Sequence, residues 1–551
     1  MILVGPPTKG NEAMKKYDVI VIGAGHNGLT NAAFLAKAGL DVLMVEKNDY
    51  IGGASVSRNL HKDWMYSNCS YVCSLFRPEI YRYLNLGKHG LQVVTYNGGF
   101  SLTDCGDYLG SYSDHDVMRR EIQRHSPIDV DAYDRYYTEM AKWCRFIRPL
   151  LLRTPPDPTS FKIRDLDELR FLAKKFGELG HKDLHDFMRF FTISVGDFVD
   201  QFFTSDLIKA HKAGSAVVGT NLGPYSPGTA YVLLHHYMGD VDGATGAWGF
   251  ARGGMGAVAK ALAGAFQEHG GEIRTGSGVE QITVKNGKVT GVRLENGEEI
   301  KADRVVSNLD AKRTFLGIMD PKDAGEKVVK AAKKFKIRGS SGKLNIALNG
   351  IPELSALPKD SKLIQGDFHV VDNMEAYERS YDEWKSGTWS KNPYLDVLIP
   401  SLTDPTMAPP GKHFMSVFVQ YCPEKVNGQD WTPELVKQFG DTVINTIAKY
   451  SPNFKSLIEH VEVRTPGKIE EEIGLTGGNI FQGELSLSQL MFNRPFPGYS
   501  QYRGPVNGMY MCGSSTHPGG GVMAAPGANA AREILIDMKI STTVPEDEGD
   551  D

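Results

Sequence analysis

The sequence predicts an α/β fold, α+β overall, in which a parallel-strand nucleotide-binding unit is interleaved with a mixed-sheet and helical domain. Three observations predict it. A strand, a glycine turn and a helix succeed one another near residue 20; a second glycine loop runs into an Ala-rich helix near residue 515; and helix-patterned sequence followed by hairpin-forming sequence lies between them.

The first apolar run, Tyr17-Asp-Val-Ile-Val-Ile-Gly23, has the near-continuous apolar character of a parallel strand buried on both faces. Leu29 to Ala38 is rich in Ala and Leu and closes on Gly39, a helix with a glycine cap. Val42 to Glu46 is the second strand. From about 128 to 215 apolar residues recur at helical spacing, which predicts a helical insertion. Its phenylalanines (Phe187, Phe190, Phe191, Phe198, Phe202 and Phe203) fit core packing better than a channel. Residues 272–308 alternate, with Asn286-Gly287 and Asn296-Gly297 as hairpin turns, and end on a return strand, Arg304 to Asn308. Strand sequence at 414–421, helical sequence at 433–449, and a final strand and helix at 509–538 complete the pattern. These features divide the chain into a discontinuous nucleotide-binding domain (16–95, 245–320 and 500–540) and a substrate domain (96–244 and 321–499). Flexible tails are expected at 1–15 and, on acidic sequence, at 541–551.

The chain has 551 residues, and single cores split beyond roughly 300 residues, so at least two domains are required. Hydrophobic residues at 41% and charged residues at 23% exclude a disordered, fibrous or disulfide-scaffold protein. A net charge of −5, with no basic stripe interleaved with aromatics, excludes nucleic acid as a partner. The six cysteines form no C-x-x-C pair, so neither a redox dithiol nor a zinc knuckle is indicated, and buried, reduced thiols are expected. No targeting pattern and no apolar stretch of about 18 residues is present, which predicts a cytoplasmic chain.

Gly23-Ala24-Gly25-His26-Asn27-Gly28 sits between strand and helix, the context that gives a G-x-G-x-x-G match its weight. Gly23 allows the tight turn, Gly25 lets the backbone approach a pyrophosphate, and Gly28 lets helix pack on strand in a Rossmann-type unit. The helix start offers N–H groups to phosphate, and Glu46 is placed to accept from a ribose. Gly52-Gly53 follows in one loop, with Arg58 nearby as a phosphate or flavin partner. The loop Gly513-Ser514 to Gly521-Val522 lies at the other end of the chain. Two glycine loops suit a ligand held at both its ADP and its flavin end, so the predicted cofactor is FAD.

At this point the sequence resembles the phytoene desaturase-like branch of the flavin amine oxidase superfamily, and within it the group named pyridine nucleotide-disulfide oxidoreductase domain-containing protein 2. The stretches YDVIVIGAGHNGLTNAAFLAKAG, VEKNDYIGGAS, ADRVVSNLD, GGNIFQGELSLSQL and GMYMCGSSTHPGGGV carry the resemblance. It implies a Rossmann-type FAD-binding domain beside a substrate domain, with FAD held non-covalently by Gly23, Gly25, Gly28, Glu46, Gly53, Val279 and Gly513. Their neighbours Ala24, Asn27, Lys47, Gly52, Ala54, Ser514, Gly521 and Val522 complete the expected contact set. Two positions depart from the pattern: relatives carry an acidic residue at Ser514 and a His at Gln482. The chain also lacks the C-x-x-x-x-C pair that the group's name suggests.

His517 in the last glycine loop, His235-His236 beside an apolar run, and Trp248 and Arg252 in a glycine-rich stretch are the candidates for chemistry. Core packing for the two histidines, and an interdomain crossover for Trp248, stand as alternatives. His181 and His185 share a helix face without metal-site context, and no metal is expected. The expected reaction is hydride removal from an apolar or aromatic small molecule, with amine oxidation, double-bond isomerisation or a structural FAD as alternatives. The electron acceptor stays open between oxygen, a quinone or another compound, as does the oligomeric state. The resemblance admits docking at a membrane surface without requiring it.

Overall fold

The computed structural model describes residues 15–541 apart from Asn97, Asp242 and Asp372. The expected tails therefore lie outside the described residues, save for Lys15 and Ser541. The principal elements begin with β1 (Lys16–Ile22), α1 (His26–Lys37), β2 (Val42–Val45), β3 (Gly99–Leu102) and β4 (Tyr108–Ser111). Helices α2 (Val130–Leu151), α3 (Ile163–Glu178), α4 (Gly180–Thr192), α5 (Val195–Asp200), α6 (Asp206–Ala213) and α7 (Thr229–Tyr237) follow. Then come α8 (Gly256–Glu268), β5 (Glu272–Arg274), β6 (Val279–Lys285), β7 (Lys288–Leu294) and β8 (Glu299–Ser307). β9 (Ser341–Leu348), β10 (Asp367–Val370), β11 (Tyr394–Leu398), β12 (His413–Gln420), β13 (Ile458–Arg464), β14 (Met509–Met511) and α9 (Ala525–Asp537) complete the frame.

Two seven-stranded sheets organise these elements. The first runs β5-β2-β1-β8-β7-β6, with β14 also paired to β8. Its strands β5, β2, β1, β8 and β14 are parallel, whereas β6, β7 and the start of β8 form an antiparallel meander. The hairpin sequence is thus continuous with the parallel sheet through β8. β1 explains its own apolar run: Val19 and Val21 face the helices, and Ile20 and Ile22 face the opposite core with Ile282 and Val289. α1 is buried along nearly its whole length against α8 and α9, where Ala32, Ala33 and Ala36 allow close packing. It ends at Gly39, whose φ of 88° supplies the left-handed cap.

The second sheet runs β13-β9-β12-β11-β10-β3-β4, antiparallel except where β10 meets β3. One face carries Leu344, Ile346, Val417 and Val419 into a core with Phe439 and Val443, while Tyr394 and Phe418 face the helical insertion. There Phe187, Phe190, Phe198 and Phe203 are buried with Trp143 and Phe146, and Phe191 and Phe202 pack at the edge. The predicted core role of this cluster therefore holds. Five of the six cysteines are buried, but Cys105 is exposed. Among the described residues no helix is long and apolar enough to cross a membrane.

Candidate flavin and substrate site

The ends of β1, β2 and β8 converge on a cavity of about 370 Å³, within the usual range of about 300–1,000 Å³ for small-molecule sites. Gly23 leaves β1 at φ 92°, and a Cβ on Gly28 would lie 2.3 Å from its carbonyl oxygen. A Cβ on Gly25 would meet the Nδ2 of Asn308 at 2.8 Å. Asn308, just past β8, donates from Nδ2 to the Gly23 carbonyl at 3.2 Å. This side chain braces the glycine turn, and inspection of the glycine fingerprint alone missed it; its signal is its place at the end of the predicted return strand. No side chain caps α1, so its first-turn N–H groups stand open beside His26 and Asn27 on the cavity lining.

Glu46 directly follows β2, with both oxygens occupied by backbone: Oε2 accepts from Ala24 N–H at 2.7 Å and Oε1 from Asn48 N–H at 2.9 Å. Burial holds its carboxyl above the ordinary range, against these hydrogen bonds. Each carboxylate oxygen keeps a further lone pair for a ribose hydroxyl. Lys47, Gly53, Ala54 and Val279 line the cavity beside it.

Several expected contacts do not line the cavity. Ala24 acts through its N–H on Glu46, and Gly28 through helix packing. Gly52 donates its N–H to the Ala24 carbonyl at φ 122°. Arg58 is turned aside, its guanidinium 4.3 Å from the Tyr50 ring centre. Gly513 lies behind the wall, where a Cβ would meet the Asn308 carbonyl at 2.6 Å. Ser514, Gly521 and Val522 do line the cavity, and Ser514 Oγ accepts from Asn27 Nδ2 at 3.0 Å. The two glycine loops are therefore joined side chain to side chain.

The histidine candidates separate. His236 lines the cavity, and its ring is stacked on Trp248 with centroids 6.3 Å apart. Its Nδ1 donates to the Val232 carbonyl, and burial lowers it to about 4, so it is neutral at pH 7 with Nε2 as acceptor. His235 donates to the Gly520 carbonyl at 2.9 Å and does not line the cavity, as the core alternative predicted. The expectation for His517 is corrected by its geometry: Nε2 donates to Leu150 O at 2.9 Å, tying the loop to the end of α2 outside the cavity lining. Arg252 is exposed, and its N–H donates to the Gln92 carbonyl outside the lining. Of that pair only Trp248 reaches the site.

The second sheet supplies the facing wall. Lys343 on β9 lines the cavity while nearly wholly buried, and its Nζ donates to the carbonyls of Ser67 and Cys69. Burial lowers its amine to about 7. Tyr71 lies beneath it, with its ring centre 5.4 Å from Nζ, and stacks on Phe418. Cys69, one of the buried thiols, also lines the cavity. The signal for Lys343 was a lone charge inside the apolar strand Ser341–Leu348.

Residues 28–314 match the family described as flavin containing amine oxidoreductase. The chain is 36% identical to the rat pyridine nucleotide-disulfide oxidoreductase domain-containing protein 2, over 95% of this chain and 94% of that protein. The chain belongs to the flavin-containing amine oxidoreductase family. It is also 28% identical to a phytoene desaturase of Neurospora crassa, over 97% of this chain and 86% of that one. The cyclohexylamine oxidase of Brevibacterium oxydans IH-35A shares the fold, with a TM-score of 0.53 at 14% identity, covering 95% of this chain and 100% of that one. The family's flavin fits the residues present. Asn27 Oδ1 and Gln482 Oε1 are buried on the lining without hydrogen-bond partners, and the loops at Gly25 and Gly28 have no room for a Cβ. A ligand rich in donors and phosphate oxygens matches both.

Proposed function

We propose that this oxidoreductase holds FAD non-covalently and dehydrogenates a carbon–carbon bond of an apolar or aromatic small molecule. The observation carrying the reading is that the glycine loop and Glu46 share one cavity with an aromatic wall of Tyr71, Trp248, Phe418 and Phe481. Bound there, the flavin supplies an acceptor for hydride. The wall orients the substrate by apolar contact and keeps water from it. Lys343, with an amine that is half-neutral near pH 7, takes the proton released from the adjacent carbon. The likeness to a phytoene desaturase supports this chemistry.

Oxidation of an amine is the second reading. It is disfavoured for a cationic substrate because the charged group lining this wall is Lys343, whereas the lining carboxylates Glu46, Glu295 and Glu472 lie with the nucleotide-side residues.

The test is the visible spectrum of the purified protein before and after heat release of its cofactor, then anaerobic addition of polyenes, aromatic alkenes and amines. Bleaching by an alkene or polyene is expected. Bleaching by amines alone selects the second reading, a flavin that resists substrates and mild reductants makes the cofactor structural, and a colourless protein that FAD cannot reconstitute overturns both.

A further inference from the structure

A second polar cluster lies away from the flavin loops, between the second sheet and the helical insertion. Register builds it. β10 and β11 pair antiparallel with His369 directly opposite Asp396, and Asp367, two residues before His369, projects from the same face. His369 Nε2 stands 3.2 Å from Asp367 Oδ2 and 3.7 Å from Asp396 Oδ1. One ligand atom from each residue falls within 4.8 Å of the others.

Asp396 is 3% exposed, and its Oδ1 accepts no hydrogen bond although it is aimed at His369. Its Oδ2 accepts from Tyr71 O–H at 2.7 Å. Among the described residues neither carboxylate has a Lys or Arg partner within ion-pair distance, so one imidazole faces two acids. A buried carboxylate with an unfilled acceptor and no cationic partner is costly, and a cation between the three ligands would relieve it.

The spacing suits such an ion. Ligand atoms held at roughly 2.1 Å in a tetrahedral shell stand about 3.4 Å apart, close to the two observed separations. We propose that Asp367, His369 and Asp396 form a site for one divalent transition-metal cation of the zinc class, with solvent completing its shell. The carboxylates and imidazole suit Zn²⁺ or Mn²⁺, and the partly exposed side chains of Asp367 and His369 give the entry path. The site is independent of the flavin reaction, yet it lies one hydrogen bond from the cavity: Asp396 bridges it to Tyr71 on the lining. It also departs from the expectation of no metal, which weighed the cysteine spacing and the exposed pair His181 and His185.

The test uses the full-length, flavin-loaded protein, stripped with a chelator, equilibrated with Zn²⁺ and passed through gel filtration before elemental analysis. One retained equivalent is expected, falling at least tenfold in His369→Ala and in Asp367→Asn. The partly exposed Asp367 makes the second variant the gentler one. Should either variant fail to fold, Co²⁺ titration of the unmutated protein reads the same site: visible ligand-field bands that one equivalent of Zn²⁺ removes support it, and their absence overturns it. Retention below a tenth of an equivalent in the wild type, or equal retention in folded variants, also overturns it.

Discussion

Arg494 reaches the Ser514 carbonyl twice, from Nε at 3.0 Å and from Nη2 at 2.6 Å. Its remaining donors go to the carbonyls of Phe481, Gly483, Glu484 and Gln489. The guanidinium is wholly buried and answered by carbonyl dipoles, and burial lowers it to about 10. It gathers the loop carrying Gln482 onto the loop carrying Ser514, both of which line the cavity.

Arg494→Lys is therefore not a conservative change. An ammonium has three donors and no planar fork, so several buried carbonyls lose partners, each costing about 1–3 kcal/mol. Urea unfolding should show a loss of about 2–4 kcal/mol, with flavin released earlier in the transition than in the wild type. An unchanged midpoint would show that the clasp is dispensable.

The glycine turn gives a sharper expectation. Gly28→Ala places a methyl 2.3 Å from the Gly23 carbonyl, and backbone must move. The purified variant should carry less than a tenth of the wild-type flavin per chain by visible absorbance, and Gly39→Ala, with nothing near its Cβ, should keep its flavin. At Gly39 the left-handed φ costs about 1 kcal/mol of stability instead.

Lys343 sets a pH dependence whose sign follows from its direction of shift. Folding lowers its amine from 10.5 to about 7, so between those values the unfolded chain holds a proton that the folded chain does not. Stability attributable to this residue is least below pH 7 and rises toward pH 10, by about 1.4 kcal/mol per unit at most. Relative to Lys343→Met, the wild type should gain stability from pH 7 to pH 9 in urea titrations. A difference that is flat with pH would place the amine's titration elsewhere.

His517 and His236 should part in experiment as they do in space. His517→Asn removes the bond to Leu150 O and should cost about 1–2 kcal/mol while leaving the flavin spectrum unaltered. His236→Asn changes a cavity-lining ring stacked on Trp248 and should shift the flavin bands or the rate of substrate bleaching, with a smaller loss of stability. The reverse pattern would restore His517 to the site.

What could be read from the sequence was what is local. β1, α1 and β2 declare themselves because burial on both faces, a glycine turn and a glycine cap are written in contiguous residues, and the helical insertion because its spacing repeats. The site divides along the same line. Gly23, Gly25 and Glu46 were legible, whereas Asn308, Lys343 and Tyr71 act on partners hundreds of residues away, so the position of each along the chain did not reveal its role. His517 and Arg252 failed as cavity residues for a related reason: a loop's place near a site does not fix which way each side chain turns, and Trp248, four residues from Arg252, turns the other way.

The hydrogen bond from Asn27 to Ser514 spans 487 positions, and β8 holds β1 on one side and β14 on the other. During synthesis the opening motif is therefore complete long before its cavity can exist. Ser514, Gly521 and Val522 complete the lining only after the last strand, β14, has been made. Contacts of so large a sequence separation form slowly, so the lining of the cavity is completed late in folding.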